Sequence, residues 1–269
     1  MDTAIDMTHP SAALDLSKIR FQLIRLEDTI IFNIIERVQF PYNSRMYLNP
    51  SEGGLLKLPS PYDDSSFLTY ILRETEHIHA RVRRYHAPDE YPFFQEGLPE
   101  PILPPLKYPQ LLHPNTVNIN PSILEAYTKY FLPNACSAGQ ERPDAHENYG
   151  SCAVVDVACL QALSRRVHFG KFVAEAKFLR DTEKFTRLIR ERDVEGIEGE
   201  ITDEKVELQV LERLRKKATS YGRDPSLPED QQEQGPLKVN VDAVVNLYKD
   251  WIIPLTKKVE IDYLLTRLD

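Results

Sequence analysis

From Asp15 to Gln39 the apolar residues Leu16, Ile19, Leu23, Leu26, Ile30, Ile31, Ile34 and Ile35 recur at intervals that match an α-helix with one buried face. Asp15 or Ser17 can cap its start, and Phe40-Pro41 stops it. Such a stripe needs covering by other elements, and the rest of the chain offers helices for the purpose. The same period predicts helices over 65–86, with Phe67, Ile71, Ile78 and Val82 turned inward, and over 121–132, 151–181, 182–192, 203–221 and 241–268. No stretch carries the alternation of a half-buried strand, an internal repeat or a coiled-coil heptad. The expected fold class is all-α, with long loops.

Three connections stand out. Residues 43–64 are rich in turn formers. Residues 85–114 are crowded with prolines, which neither a regular helix nor a central strand accommodates, so this segment is expected to wrap a surface or an interface. Residues 222–234 are polar and acidic, the composition of a disordered connector. No glycine-rich linker divides the chain, so residues 1–269 read as a single domain.

The net charge of −8 argues against general nucleic-acid binding. It does not exclude an anion site, because local cations set the potential inside a cleft. No run of apolar residues is long enough to span a membrane. Cys136, Cys152 and Cys159 have no metal-type spacing, and their odd number without a signal-peptide pattern points to reduced thiols and a cytoplasmic protein.

The stretch 164–178, SRRVHFGKFVAEAKF, carries the strongest chemical pattern. Read as one helix, it places Arg166, Gly170, Val173 and Lys177 on one face, with the two cationic residues roughly 16 Å apart along the axis. Both long side chains can bend toward a common point above Gly170, which has no side chain to fill that space, and such a face could clamp a small dianion. The alternative is a basic helix with solvated Arg166 and Lys177 and with Phe169, Phe172 and Val173 in the core.

This stretch resembles a signature of the eukaryotic, fungal-type all-helical chorismate mutases, which convert chorismate to prephenate. Further blocks resemble the family in the same order along nearly the whole chain. They are Ile19-Arg20, Arg25 to Ile31, Arg81 to Arg84, Asn148 to Ser151, Lys205 to Glu207, and Ile253 to Glu260. The resemblance implies a chorismate mutase of phenylalanine and tyrosine biosynthesis, working as a homodimer. The reaction is a unimolecular pericyclic step that requires no metal, cofactor or nucleophile. Catalysis then rests on holding the substrate in its reactive shape and stabilising charge on the breaking ether oxygen. A modest enzymatic acceleration needs about 8 kcal/mol, and hydrogen bonds involving charged groups contribute about 1.5–3 kcal/mol each, so several converging cations would supply most of it.

By resemblance, Arg20 and Arg166 hold the two substrate carboxylates, Lys177 donates to the ether oxygen, and Val173 and Thr256 line the substrate site. Glu207 accepts from the ring hydroxyl. Asp203 stands four residues before it, where fungal relatives are expected to carry asparagine; on local grounds it is equally a helix cap. Glu260, four residues after Thr256, is implied to face the ether oxygen. A carboxylate cannot donate there, so the expectation is a protonated Glu260 in a water-poor cleft, with activity fading as pH rises through its pKa. On spacing alone Glu260 would pair with Lys257 or Lys258 on a solvated face.

A regulatory region around 83–84 and 148–154 is also implied, with tyrosine as inhibitor and tryptophan as activator bound between subunits. Arg83, Arg84, Asn148, Gly150, Ser151 and Val154 would contribute, and Asp28 would hold the effector ammonium group. Without the resemblance, Arg83 and Arg84 merely complement a helix C-terminus, and Gly150 and Ser151 cap its neighbour. Val154 and Asn240 each stand where the family suggests threonine, departures that bear on the strength of tyrosine inhibition. The competing readings are a non-catalytic effector-binding relative and a helical scaffold.

Overall fold

The computed structural model describes residues 5–54, 58, 60, 62, 64–136, 145–224, 226 and 235–269. Among the described residues there are helices and turns and no strand. A single turn, α1 (Pro10–Ala13), leads into α2 (Leu16–Arg37), capped by the Asp15 side chain accepting from the Ser17 and Lys18 N–H groups. Then come α3 (Phe67–Arg81), α4 (Asn120–Glu125) and α5 (Leu132–Cys136), and the long α6 (Tyr149–His168). The chain continues through α7 (Gly170–Arg180), α8 (Thr182–Glu191), α9 (Val194–Ile201) and α10 (Glu204–Gly222). Last are α11 (Val241–Leu247) and α12 (Ile253–Leu265). Most of the expected connector at 222–234 lies outside the described residues.

The predicted helix over 151–181 is divided at Phe169, where α6 ends and α7 begins. The two still run on as one bent rod, against which α2 and α3 pack from the α6 side and α12 from the α7 side. Phe169 and Phe172 are fully buried in a cluster with Ile19 and Leu26 of α2. The largest cluster joins Ile30, Ile34, Leu160, Leu163, Val167, Leu214, Val244 and Val259, so α2, α6, α10, α11 and α12 share one interior. Each such side chain contributes about 1.5–3 kcal/mol by leaving water.

Two other expectations are corrected. In α3 Phe67 and Ile71 pack against the core as expected, but the fully inward positions are Leu68, Leu72, Glu76 and Ala80, and Ile78 is 61% and Val82 48% exposed. The helix is turned because Glu76 is needed inside, where its carboxylate accepts from the Phe93 N–H at 2.7 Å and the Phe94 N–H at 3.0 Å. Helix α9 was not foreseen, since two of its eight residues are glycines and its cap, Asp193 accepting from Gly196 N–H, mimics a turn. A physical cause can also be given for two π-helical segments, Ala126–Phe131 and Tyr248–Ile252. Each lies just before a helical proline, Pro133 or Pro254, whose ring crowds the carbonyl four residues back and widens the turn.

The proline-rich segment has no regular helix beyond a short 3-10 turn (Arg84–His86), as expected, and side chains of the rod anchor it and the residues that follow it. Lys171 Nζ donates to the Val117 carbonyl, His168 Nε2 accepts from Ile119 N–H at 3.2 Å, and Arg165 Nε donates to Asp89 at 2.7 Å. Farther along, the Tyr263 hydroxyl accepts from His113 N–H at 2.9 Å. At the other end of the rod, Arg37 and Asp156 form a fully buried ion pair at 2.7 Å. The Tyr47 and Tyr127 hydroxyls also donate to Asp156, and Arg37 donates to the Phe40 and Pro41 carbonyls just past the end of α2.

Candidate active site

A cavity of about 310 Å³ opens where α2, α6, α7, α10 and α12 meet. Its apolar wall comes from Leu16, Ile19 and Leu23 of α2, Ile201 of α9, and Val206 and Val210 of α10. Arg20, Arg166, Val173, Lys177, Asp203, Glu207, Thr256 and Glu260 all line this one cavity, together with Gly170 and Lys257.

Each polar group is oriented by its own helix. Arg166 sits in the basic last turn of α6, where a cation complements the helix dipole, and is only 6% exposed. Its Nε has no hydrogen-bond partner, so a buried donor is available to a ligand. Lys177, in the last turn of α7, donates to the Ile201 carbonyl at 2.6 Å, at the C-terminus of α9. Arg20 is exposed, five residues into α2, at the cavity's edge.

Gly170 does not keep open space above itself, as the sequence suggested. A Cβ there would stand 3.1 Å from Glu260 Cγ and from the Thr256 carbonyl oxygen. The glycine is what lets α12 lie close against the rod, bringing Thr256 and Glu260 to Arg166 and Lys177. Thr256 donates its hydroxyl proton back to Ile252 at 2.6 Å, which leaves its oxygen as an acceptor.

Glu260 is 7% exposed, and its Oε2 lacks a partner. Burial pushes its carboxyl up to about 8, against the opposing pull of Lys177, Arg166 and Lys257. It is therefore mostly protonated at neutral pH and pairs with neither Lys257 nor Lys258. Those lysines bridge instead to Glu207 at 2.8 Å and to Asp262 at 2.9 Å. Asp203 is the N-cap of α10, its Oδ1 accepting from Val206 N–H at 3.1 Å, so the capping reading holds while the residue also faces the cavity. With Glu260 protonated, the four cations Arg20, Arg166, Lys177 and Lys257 outnumber the carboxylates of Asp203 and Glu207 by two. That excess suits a doubly charged anion. Sequence reasoning missed Lys257, which reads as a surface lysine beside Lys258.

The expected regulatory residues are not brought together within one chain. Arg83 lies just beyond α3 in the left-handed region, with φ 67°, and donates to the Pro104 carbonyl at 2.6 Å. Arg84 reaches Glu90 at 3.1 Å and Gln161 of α6 at 3.2 Å. Asn148 is the N-cap of α6, and Gly150, Ser151 and Val154 follow in its first turns, so the four lie about 10 Å (Val154) to about 20 Å (Asn148) from Gln161 along the axis, with Val154 66% exposed. Asp28 faces α10, held by Lys217 at 2.7 Å and the Tyr221 hydroxyl at 2.9 Å.

The family model for chorismate mutase type II matches residues 148–261, from the start of α6 into α12. A chorismate mutase from Emericella nidulans is 55% identical over 271 aligned positions, covering 100% of this chain and 98% of the relative. Among solved structures, a Candida albicans chorismate mutase in complex with L-Trp superposes with a TM-score of 0.88 at 46% identity, covering 98% of this chain and 96% of that one. The structure of AtCM1 with tyrosine bound in its allosteric site gives 0.80 at 39% identity, covering 96% of this chain and 98% of that one. Full-length identity of this order, with the same helical framework, leaves one conclusion: the chain belongs to the chorismate mutase family.

Proposed function

We propose that the Arg20–Arg166–Lys177–Glu260 cavity is where chorismate rearranges to prephenate. The observation that carries this reading is the meeting of those side chains, drawn from four helices, around one space with a charge excess that suits a dianion. Arg20 and Arg166 take the two carboxylates, for which the guanidinium fork offers paired donors. The apolar wall of Leu16, Ile19, Leu23 and Val173 confines the ligand to a folded, chair-like shape, so that the carbons to be joined face each other. As the ether bond breaks, negative charge grows on its oxygen. Lys177 and the protonated Glu260 both donate to it, more strongly in the transition state than in the ground state. Glu207 accepts from the ring hydroxyl. Asp203 directs part of its charge into the first turn of α10, which reduces its repulsion of a substrate carboxylate.

The working unit in this reading is a cytoplasmic homodimer, each chain a single domain over residues 1–269. No helix among the described residues is long and apolar enough to cross a membrane. Arg83 and Arg84 lie well away from Asn148, Gly150, Ser151 and Val154 in one chain, so an effector touching both sets bridges two chains. Exposed Ile78, Val82 and Val154 offer apolar surface for that contact. Tyrosine and tryptophan are the proposed inhibitor and activator, acting through two quaternary states of different affinity, with Asp28 as partner for their ammonium group.

The test is loss of chorismate absorbance by the purified protein, with and without tyrosine and tryptophan, beside sedimentation to give the oligomeric state. Lys177→Ala should lose at least a hundredfold in kcat, in line with removal of a transition-state donor. Full activity in that variant would sink the site assignment, and a monomer that still responds to effectors would sink the bridging model.

A further inference from the structure

Lys257 is the cavity-lining cation that spacing alone would pair with Glu260 and to which the family resemblance gives no role. It projects from the first turns of α12, three residues before Glu260, and closes an ion pair with Glu207 of α10 at 2.8 Å. The pair crosses from one wall of the cavity to another, with both side chains about a quarter exposed. The ammonium group meets Glu207 Oε1, and a carboxylate has lone pairs enough to accept a hydroxyl as well. On its other side Lys257 lines a groove of about 440 Å³ between α9 and α12, shared with Val194, Glu198 and Ile261. Its stem therefore forms part of the partition between cavity and groove, and the ammonium group is drawn inward by Glu207.

We propose that Lys257 is a positioning residue for the rearrangement, holding Glu207 in place to receive the ring hydroxyl and completing the cationic wall around the dianion. The inference rests on the assignment of this cavity as the active site and extends it to a residue at its mouth. Two effects follow. Without the ammonium group, Glu207 swings free and the cavity loses one positive charge, so binding of the substrate weakens. The second effect concerns Glu260. The charged groups lining its surroundings are Arg20 from α2, Arg166 from α6, Lys177 from α7, Asp203 and Glu207 from α10, and Lys257 from its own helix. Removing one cation from this set disfavours the ionised form of Glu260, so the protonated, active form persists to higher pH.

Lys257→Met keeps the stem and deletes the charge; Lys257→Arg keeps the charge. Chorismate consumption measured from pH 6 to 9.5 should show, for Lys257→Met, a KM raised about tenfold, kcat changed less than threefold, and an alkaline limb moved up by about half a pH unit. Lys257→Arg should restore the limb and most of the KM. In a Glu207→Gln background, Lys257→Met should raise KM by clearly less than it does alone, because the part that acts through that carboxylate is already lost and only the cavity's missing charge remains. A wild-type KM and unshifted limb in Lys257→Met would overturn the proposal while leaving the active-site reading intact. So would a raised KM that arginine fails to rescue, which would reduce Lys257 to packing. Failure of the active-site reading itself is read separately, from full activity in Lys177→Ala.

Discussion

Glu260→Gln tests the electrostatics of the cavity most directly. With its pKa pushed up to about 8 by burial, Glu260 is about nine-tenths protonated at pH 7 and about 3% protonated at pH 9.5. If only the protonated form donates to the ether oxygen, kcat/KM of the wild type should fall about thirtyfold over that interval. Glutamine of nearly the same shape donates at every pH and should leave the alkaline limb flat. A bound dianion further disfavours ionised Glu260, so the limb in kcat should lie at higher pH than the limb in kcat/KM, which reports the free enzyme. The assay is chorismate absorbance at low and at saturating substrate, in buffers of constant ionic strength because the cations are partly screened by salt. Superimposable pH profiles for the two proteins would refute the donor role and the reasoning from burial to protonation.

The same carboxyl predicts a stability slope. A folded pKa of about 8 against the ordinary 4.5 means that the folded state binds the extra proton between those values, so stability falls as pH rises through the window. Thermal melts from pH 5 to 9 should show a steeper slope in the wild type, by a few kcal/mol at most, than in Glu260→Gln, where buried Glu76, raised to about 7, still contributes its own share. Gly170→Ala places a Cβ 3.1 Å from Glu260 Cγ and from the Thr256 carbonyl, so α12 must shift by a few tenths of an ångström. Activity should drop about tenfold or more while the melting temperature changes little, because alanine's helix propensity offsets the crowding; an alanine variant with wild-type kcat would contradict the close-approach account. Breaking the buried Arg37–Asp156 pair with Asp156→Asn should cost about 3–5 kcal/mol in urea unfolding, and the double change Arg37→Met with Asp156→Leu should cost less. Equal losses in the two would show that burial of an unpaired charge is not the cause.

The helical architecture was legible in the apolar period because α2, α6 and α10 bury one face against neighbours of the same kind. What periodicity could not see was a polar group taking an inward place. In α3, Glu76 is buried because distant Phe93 and Phe94 supply N–H donors, and this turns Ile78 and Val82 outward. The division at Phe169 and the two π-helical segments depend on packing and on proline crowding, which a regular repeat does not register. In the cavity, Arg166 and Lys177 could be matched from their spacing on one rod. Arg20, Glu207 and Glu260 share no spacing with them and came from family resemblance. Lys257 escaped because Glu207, the group that draws it inward, lies fifty residues away in the chain.

Asp203 closes the first turn of α10 with the same carboxylate that borders the cavity. The start of that helix is thus wired to whatever occupies the neighbouring space: an anion that pulls or pushes on this side chain also tightens or frays the turn carrying Val206 and Glu207. An asparagine would keep the cap and discard the charge, so exchange at this single position tunes ligand affinity without loosening the scaffold. Alanine would forfeit both at once.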